Sequence, residues 1–220
     1  MAARYQLAAS PESVTSAFGL SDCDPFPPRY NIAPTQPVLI VREDRGAQRT
    51  AVLVRWGLIP SWVRDPGGFP LLIEARGESV LEKPSFRGAM RHKRCLVPAT
   101  GFYKWTGAQG ARQPHLLKEA GDGLLAFAGL WEDWLGADGS EMQTMAIVTV
   151  VANADVSPFH DRMPAIIPPQ HFEEWLDVRC VEAKDAVGLL APAPVGALNA
   201  IAVSQTMNNP RNDGSDPTEF

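Results

Sequence analysis

Leu124-Leu-Ala-Phe-Ala-Gly-Leu-Trp131 and Thr144-Met-Ala-Ile-Val-Thr-Val-Val151 decide the fold class. Both are short runs of β-branched, aromatic and aliphatic residues bounded by turn formers, a pattern of strands. Working outward, Val38–Arg42, Thr50–Trp56, Cys95–Val97 and Phe102–Thr106 repeat it, and Ala200–Ser204 reads as a last strand. Twenty prolines and eighteen glycines are spread along the chain and shorten the elements between them. Ser10-Pro11-Glu12 combines an N-cap hydroxyl, a proline at the first helical position and an acid on the helix dipole, which predicts a helix to about Phe18. Further helical spans are expected at Ser79–Met90, with Pro84 as a break or restart, at Pro169–Asp177 and at Val181–Leu190. Many strands with a few flanking helices predict an α+β domain with a largely antiparallel, barrel-like sheet.

The 220 residues allow one large domain or two small ones. No apolar run reaches the roughly 18 residues of a membrane span, and the start Met-Ala-Ala-Arg-Tyr-Gln has no apolar h-region. No membrane partner is therefore expected, and a cytoplasmic location is. Twenty Lys and Arg against 25 Asp and Glu give a net charge of −5, which argues against coating duplex DNA by bulk electrostatics. Positive charge is nevertheless concentrated in Lys83, Arg87, Arg91, Lys93 and Arg94, a run that fits a solvated helix face as well as a nucleic-acid surface. The three cysteines, Cys23, Cys95 and Cys180, form no CxxC pair, and His92, His115, His160 and His171 show no zinc-ligand spacing. A reduced compartment and no metal or other cofactor are expected.

Several segments are more specific than packing requires: Arg29-Tyr-Asn-Ile-Ala-Pro-Thr-Gln36, Arg55-Trp-Gly-Leu-Ile-Pro-Ser-Trp62, Glu74-Ala-Arg-Gly-Glu78, Lys83-Pro-Ser-Phe86, Arg94-Cys-Leu-Val-Pro98, Gly101-Phe-Tyr-Lys-Trp105, His160-Asp-Arg-Met-Pro164 and Asn208-Asn-Pro-Arg-Asn-Asp213. In this order they resemble the SRAP family, the SOS response-associated peptidases or abasic-site processing proteins. The resemblance runs from Met1 to about Asp213 and implies one compact SRAP-like domain over residues 1–213, a monomer, with 214–220 as a C-terminal tail.

It further implies a cleft for single-stranded DNA, or for single/double-strand junctions, carrying an abasic site. Family members begin Met-Cys-Gly-Arg and lose the Met. The new N-terminal Cys then condenses with the aldehyde of the ring-opened sugar and closes a thiazolidine. An Asn-Ala-Arg segment, the Glu of Gly-Phe-Tyr-Glu-Trp and the His of His-Asp-Arg-Met-Pro complete that site. Here Ala2 and Ala3 stand where the family has Cys and Gly, Glu74 replaces the Asn, and Lys104 replaces the Glu. Arg4, Asn31, Arg76, His160 and Arg162 are retained.

The substitutions have chemical consequences. A thiazolidine contains the amine nitrogen, Cα, Cβ and sulfur of one N-terminal cysteine, so Cys23, Cys95 and Cys180 cannot form it wherever they lie. An imine remains available. If Met1 is removed, Ala2 offers an α-amine of pKa about 7.7–8, and β-elimination from such an imine is a lyase outcome. The Ala3 methyl crowds the approach to the sugar–phosphate. Glu74 and Lys104, if they share a pocket, form either an ion pair or a site in which Lys104 is itself the Schiff-base amine. His160 is expected to move protons.

Arg4, Arg76 and Arg162 suit phosphate clamping. Trp62 and Trp105 read as core or rim aromatics, or as stacking platforms for splayed bases. Pro34 is a wedge against a base step, and Thr149 either donates to a phosphate or pairs within the sheet. Trp131, Trp134 and Trp175 read as packing. Three functions follow: an abasic-site processor of the DNA-damage (SOS) response with imine or lyase chemistry, a non-catalytic module that shields single-stranded DNA, and a peptidase-type hydrolase. The last lacks a nucleophile, because Ser61, Ser157 and Ser204 sit in no nucleophile elbow.

Overall fold

The computed structural model describes residues 4–44, 46–108, 112–214 and 216–218, so Ala2 and Ala3 lie outside the described residues. In chain order the elements are β1 (Tyr5–Leu7), α1 (Pro11–Phe18), β2 (Arg29–Ile32), β3 (Pro37–Glu43), β4 (Arg49–Trp56), β5 (Glu74–Arg76), α2 (Pro84–His92), β6 (Arg94–Ala99), β7 (Gly101–Thr106), β8 (Gln113–Glu119), β9 (Leu125–Leu135), β10 (Glu141–Val151), β11 (Arg162–Pro164), α3 (Phe172–Leu176), α4 (Ala183–Ala186) and β12 (Leu198–Ala202). Single 3-10 turns cover Pro66–Gly68, Gly77–Ser79, Pro169–His171, Val187–Leu189 and Gln205–Asn208.

The pairing closes a ring. β10 pairs with β4, β4 with β3, β3 with β6, β6 with β9, and β9 back with β10. This is the barrel-like sheet of the α+β expectation. All its pairs are antiparallel except β10 with β4, where Thr144 faces Arg55. At its other end β10 adds β5 in parallel and β11 in antiparallel register, so that Thr149 lies between Arg76 and Pro164. A second, wholly antiparallel sheet runs in the order β12-β8-β7-β1-β2.

Local chemistry explains the ends of α1. Ser10 accepts from the Ser13 amide at 3.2 Å, and Gly19 ends the helix in the left-handed region at φ 65°. Phe18 then stacks on Phe172 of α3, with centroids 5.2 Å apart. α2 starts at Pro84, the restart that the sequence suggested, and buries Phe86, Ala89 and Met90. Lys83, Arg87 and Arg91 face solvent as a solvated helix face would. The run departs from that reading at its end. Lys93 pairs with Glu132 and Asp133, and Arg94 is only 2% exposed.

Between the barrel and the second sheet lies an aromatic seam. Tyr5 meets Trp56 edge-on at 5.4 Å and Phe127 at 6.0 Å, and Phe102 meets Phe127 at 5.8 Å. Each of these rings is at most 2% exposed, and burial of each contributes about 1.5–3 kcal/mol. Close approach of the strands matters here. A Cβ at Gly101 would lie 2.8 Å from the Leu117 carbonyl, so β7 can press on β8 only with glycine at that point. Among the described residues no helix is long and apolar enough to cross a membrane.

Candidate active site

The seam opens into a narrow pocket of about 30 Å³, room enough for ordered water. Arg4 enters it from just before β1, Tyr5 from β1, Trp56 from β4, Glu74 from β5, Phe102, Tyr103 and Lys104 from β7, Phe127 from β9, Ile147 and Thr149 from β10, and Pro164 from β11. Glu74 and Lys104 therefore share one pocket although thirty residues of chain separate them. They do so without a direct ion pair, since no carboxylate lies within 4.0 Å of the Lys104 ammonium among the described residues. Burial pulls the Lys104 pKa below the ordinary lysine value, and Arg162 pulls the same way. The negative charges of Glu74 and Asp161 oppose that fall without cancelling it.

His160 stands beside this pair, in the turn after β10. Its Nδ1 accepts from the Arg162 amide at 2.9 Å, which leaves Nε2 as the protonated nitrogen of the neutral ring. Asp161 Oδ1 also lies 2.9 Å from Nδ1, ready for the ring once that nitrogen is protonated. Partial burial lowers the His160 pKa, the nearby Lys104 charge lowers it further, and Asp161 opposes both. The resting ring is neutral near pH 7.

The arginines divide by what they already hold. Arg76 is exposed and its side chain makes no hydrogen bond or ion pair with any described residue. Arg162 is committed: it grips Glu78 with both terminal nitrogens, at 2.5 and 2.8 Å, and donates to the Thr149 carbonyl at 2.6 Å. Arg4 donates to Asn31 Oδ1 at 2.8 Å and lies 5.8 Å from the Trp105 ring centre. Asn31 is fully buried. Its amide group donates to the carbonyls of Met207, Asn209 and Asn212, and its backbone amide donates to Asp213, so it ties β2 to the C-terminal segment.

Thr149 is buried on β10 with its neighbours paired on both sides. Pro34 precedes Thr35, whose left-handed φ of 75° is held by a 2.8 Å bond from its amide to the Trp56 carbonyl. Trp105 donates to Asn208 at 2.7 Å at the rim. Trp62 is 58% exposed, packs edge-on against Phe69 and does not line the pocket. Trp134 and Trp175 are packed in the interior, whereas Trp131 is half-buried with the Arg42 guanidinium 4.1 Å over its ring.

Three residues were not singled out from sequence. Glu78 fixes Arg162 and was visible only as the end of the Glu74–Glu78 segment. Asp213 holds both Arg29 and the Asn31 amide. His115 lies opposite Lys104 across the β7–β8 pair, meets Phe159 in a tilted contact with centroids 4.7 Å apart, and has a buried Nδ1 without a partner among the described residues. Only its position opposite Lys104 marks it, and that requires the register. None of the three cysteines lines the pocket, and Cys95 is fully buried within the barrel. Among the described residues no group of His, Cys, Asp and Glu is placed to hold a metal ion.

A family model, SOS response associated peptidase (SRAP), matches residues 1–210. The chain belongs to this family. The abasic site processing protein YoaM of Bacillus subtilis is 34% identical to this SRAP chain, over 98% of the chain and 96% of YoaM. The abasic site processing protein HMCES of Gallus gallus is 33% identical over 86% of the chain, which spans 65% of HMCES. A crystal structure of a protein from Bacteroides thetaiotaomicron superposes with a TM-score of 0.83 over 96% of this chain and 97% of that one, at 23% identity, and so shares the SRAP fold.

Proposed function

We propose that this protein recognises abasic sites in single-stranded DNA, as part of a DNA-damage response, and processes them through a reversible imine rather than a thiol-locked ring. The observation that carries the reading is that Lys104 and Glu74 line one pocket from which every cysteine of the described chain is absent, with His160 near enough to feel the charge of both. Relatives named abasic site processing proteins support the substrate class. The uncommitted Arg76, two residues beyond Glu74 on β5, is suited to a phosphate oxygen. Arg4 and Trp105 form a rim on which a splayed base can stack. Arg162 contributes by holding Thr149 and Glu78 in place, and through its charge.

The alanine at position 2 favours a second reading, a SRAP module that binds and shields single-stranded DNA without chemistry. One experiment separates the two. The protein is incubated with a single-stranded oligonucleotide carrying one abasic site, with and without borohydride, beside an Ala2→Cys variant. A denaturation-stable adduct seen only with borohydride is expected. Tight binding with no trapped adduct, while Ala2→Cys forms a stable one without reductant, replaces the first reading by the second.

A further inference from the structure

We infer that Lys104 is the amine that condenses with the ring-opened abasic sugar, and that Glu74 across the pocket is the base for the elimination that follows. The inference rests on the imine reading above and specifies which atoms carry it.

The placement supports this assignment. Lys104 projects from the middle of β7, a strand held on both sides, by β1 at Phe102 and Gly101 and by β8 from Phe102 to Thr106. Its side chain lines the same narrow pocket as Glu74. A lysine kept only for structure would be saturated by carbonyls or a carboxylate. This one donates to no described residue. Aromatic walls at Trp56, Phe102 and Phe127 limit water at the reacting atoms. The charged and titratable groups facing it are Glu74, Asp161, Arg162 and His160, His115 directly opposite on β8, and Arg4, Tyr5 and Tyr103 in the same pocket. Burial supplies the neutral amine that nucleophilic attack requires.

The steps balance without any redox partner. The neutral Nζ attacks C1′ of the open-chain aldehyde, and the carbonyl oxygen takes a proton from solvent, so that Nζ keeps both of its own protons in a positively charged carbinolamine. Loss of water from the carbinolamine leaves an iminium. Glu74 removes a C2′ proton, the electron pair moves toward the iminium, and the C3′–O bond breaks with the phosphate leaving as a 5′-phosphorylated strand. Water hydrolyses the remaining imine and returns the Lys104 amine and an α,β-unsaturated aldehyde on the other strand end.

The test traps wild-type protein on the abasic oligonucleotide with borohydride, digests it and maps the modified peptide by mass spectrometry. The expected label is on Lys104. Trapping should vanish in Lys104→Met and persist in Lys184→Ala, a change at an exposed lysine remote from the pocket. The trapping rate should rise with pH through a midpoint below the ordinary lysine value. A label on the N-terminal peptide, or undiminished trapping in Lys104→Met, overturns Lys104 while leaving imine chemistry standing. Abasic DNA bound with no adduct at all overturns both. Peptide mapping of the wild type needs no variant, so a misfolded Lys104→Met would not shield the inference.

Discussion

Arg94 and Lys104 lie ten residues apart on consecutive strands, and the fold treats these two inward-facing cations in opposite ways. Arg94 is saturated: its guanidinium donates to the carbonyls of Met90, Trp175, Asp177 and Val181, bridging α2 to the segment from α3 onward. Burial lowers its pKa to about 10, which still leaves it charged at neutral pH. Lys104 faces a carboxylate, a histidine and an aromatic wall, and holds none of them. A cation whose donors are all used binds the chain together. One whose donors are free, in a pocket that penalises its charge, is poised for a reaction with an outside group.

Four changes sharpen or break this contrast. Arg94→Met strands four carbonyls and should cost about 3–5 kcal/mol in urea unfolding. A loss below about 1 kcal/mol would mean that Arg94 is no structural tie. Glu74→Gln should lower strand cleavage by about 100-fold with little loss of stability. Borohydride trapping should survive in it, because removing a negative charge lowers the Lys104 pKa further and raises the neutral fraction. Equal loss of trapping and cleavage would remove the division of labour between the two residues.

Arg162→Lys keeps the charge but not the fork on Glu78 and Thr149, and should cost about 1 kcal/mol, since Glu78 is half exposed. The mildest effect is on His160. Its NMR titration midpoint should lie below 6.5 and move upward in Lys104→Met, which removes a neighbouring positive charge. The linked stability follows the same sign: the folded chain favours the neutral ring, so this contribution is complete above about pH 6.5 and declines as pH falls through the lowered folded value.

Much of the fold was legible because its strongest signals are local. Ser10 and Pro11 announce α1, and the long apolar runs of β3, β4, β9 and β10 declare themselves. β1, β5 and β11 are three residues each, too short for periodicity, and exist because long neighbours supply hydrogen-bond partners. β8 carries Pro114 and His115, which obscure its strand character. The set of site residues came from ordered motifs, but their relations did not. Nothing local reveals that Arg162 is held by Glu78, 84 residues away, or that Arg94 leaves the solvated face of its basic run for the interior. Partnership across the chain depends on register, and register is a property of the closed barrel.

The two parallel partners of β10 carry a kinetic consequence. The first half of this strand must find β4 and the second half must find β5, while β9 pairs along its other edge. None of the parallel pairs can form by zipping up a hairpin, so long loops must close before they do. Glu74 reaches the pocket only when β5 has docked, and His160 comes near Lys104 only once β11 turns the chain back on β10. The surroundings of Lys104 are therefore complete only after these long-range pairs have formed, and a nascent or half-folded chain lacks the burial that lowers its pKa.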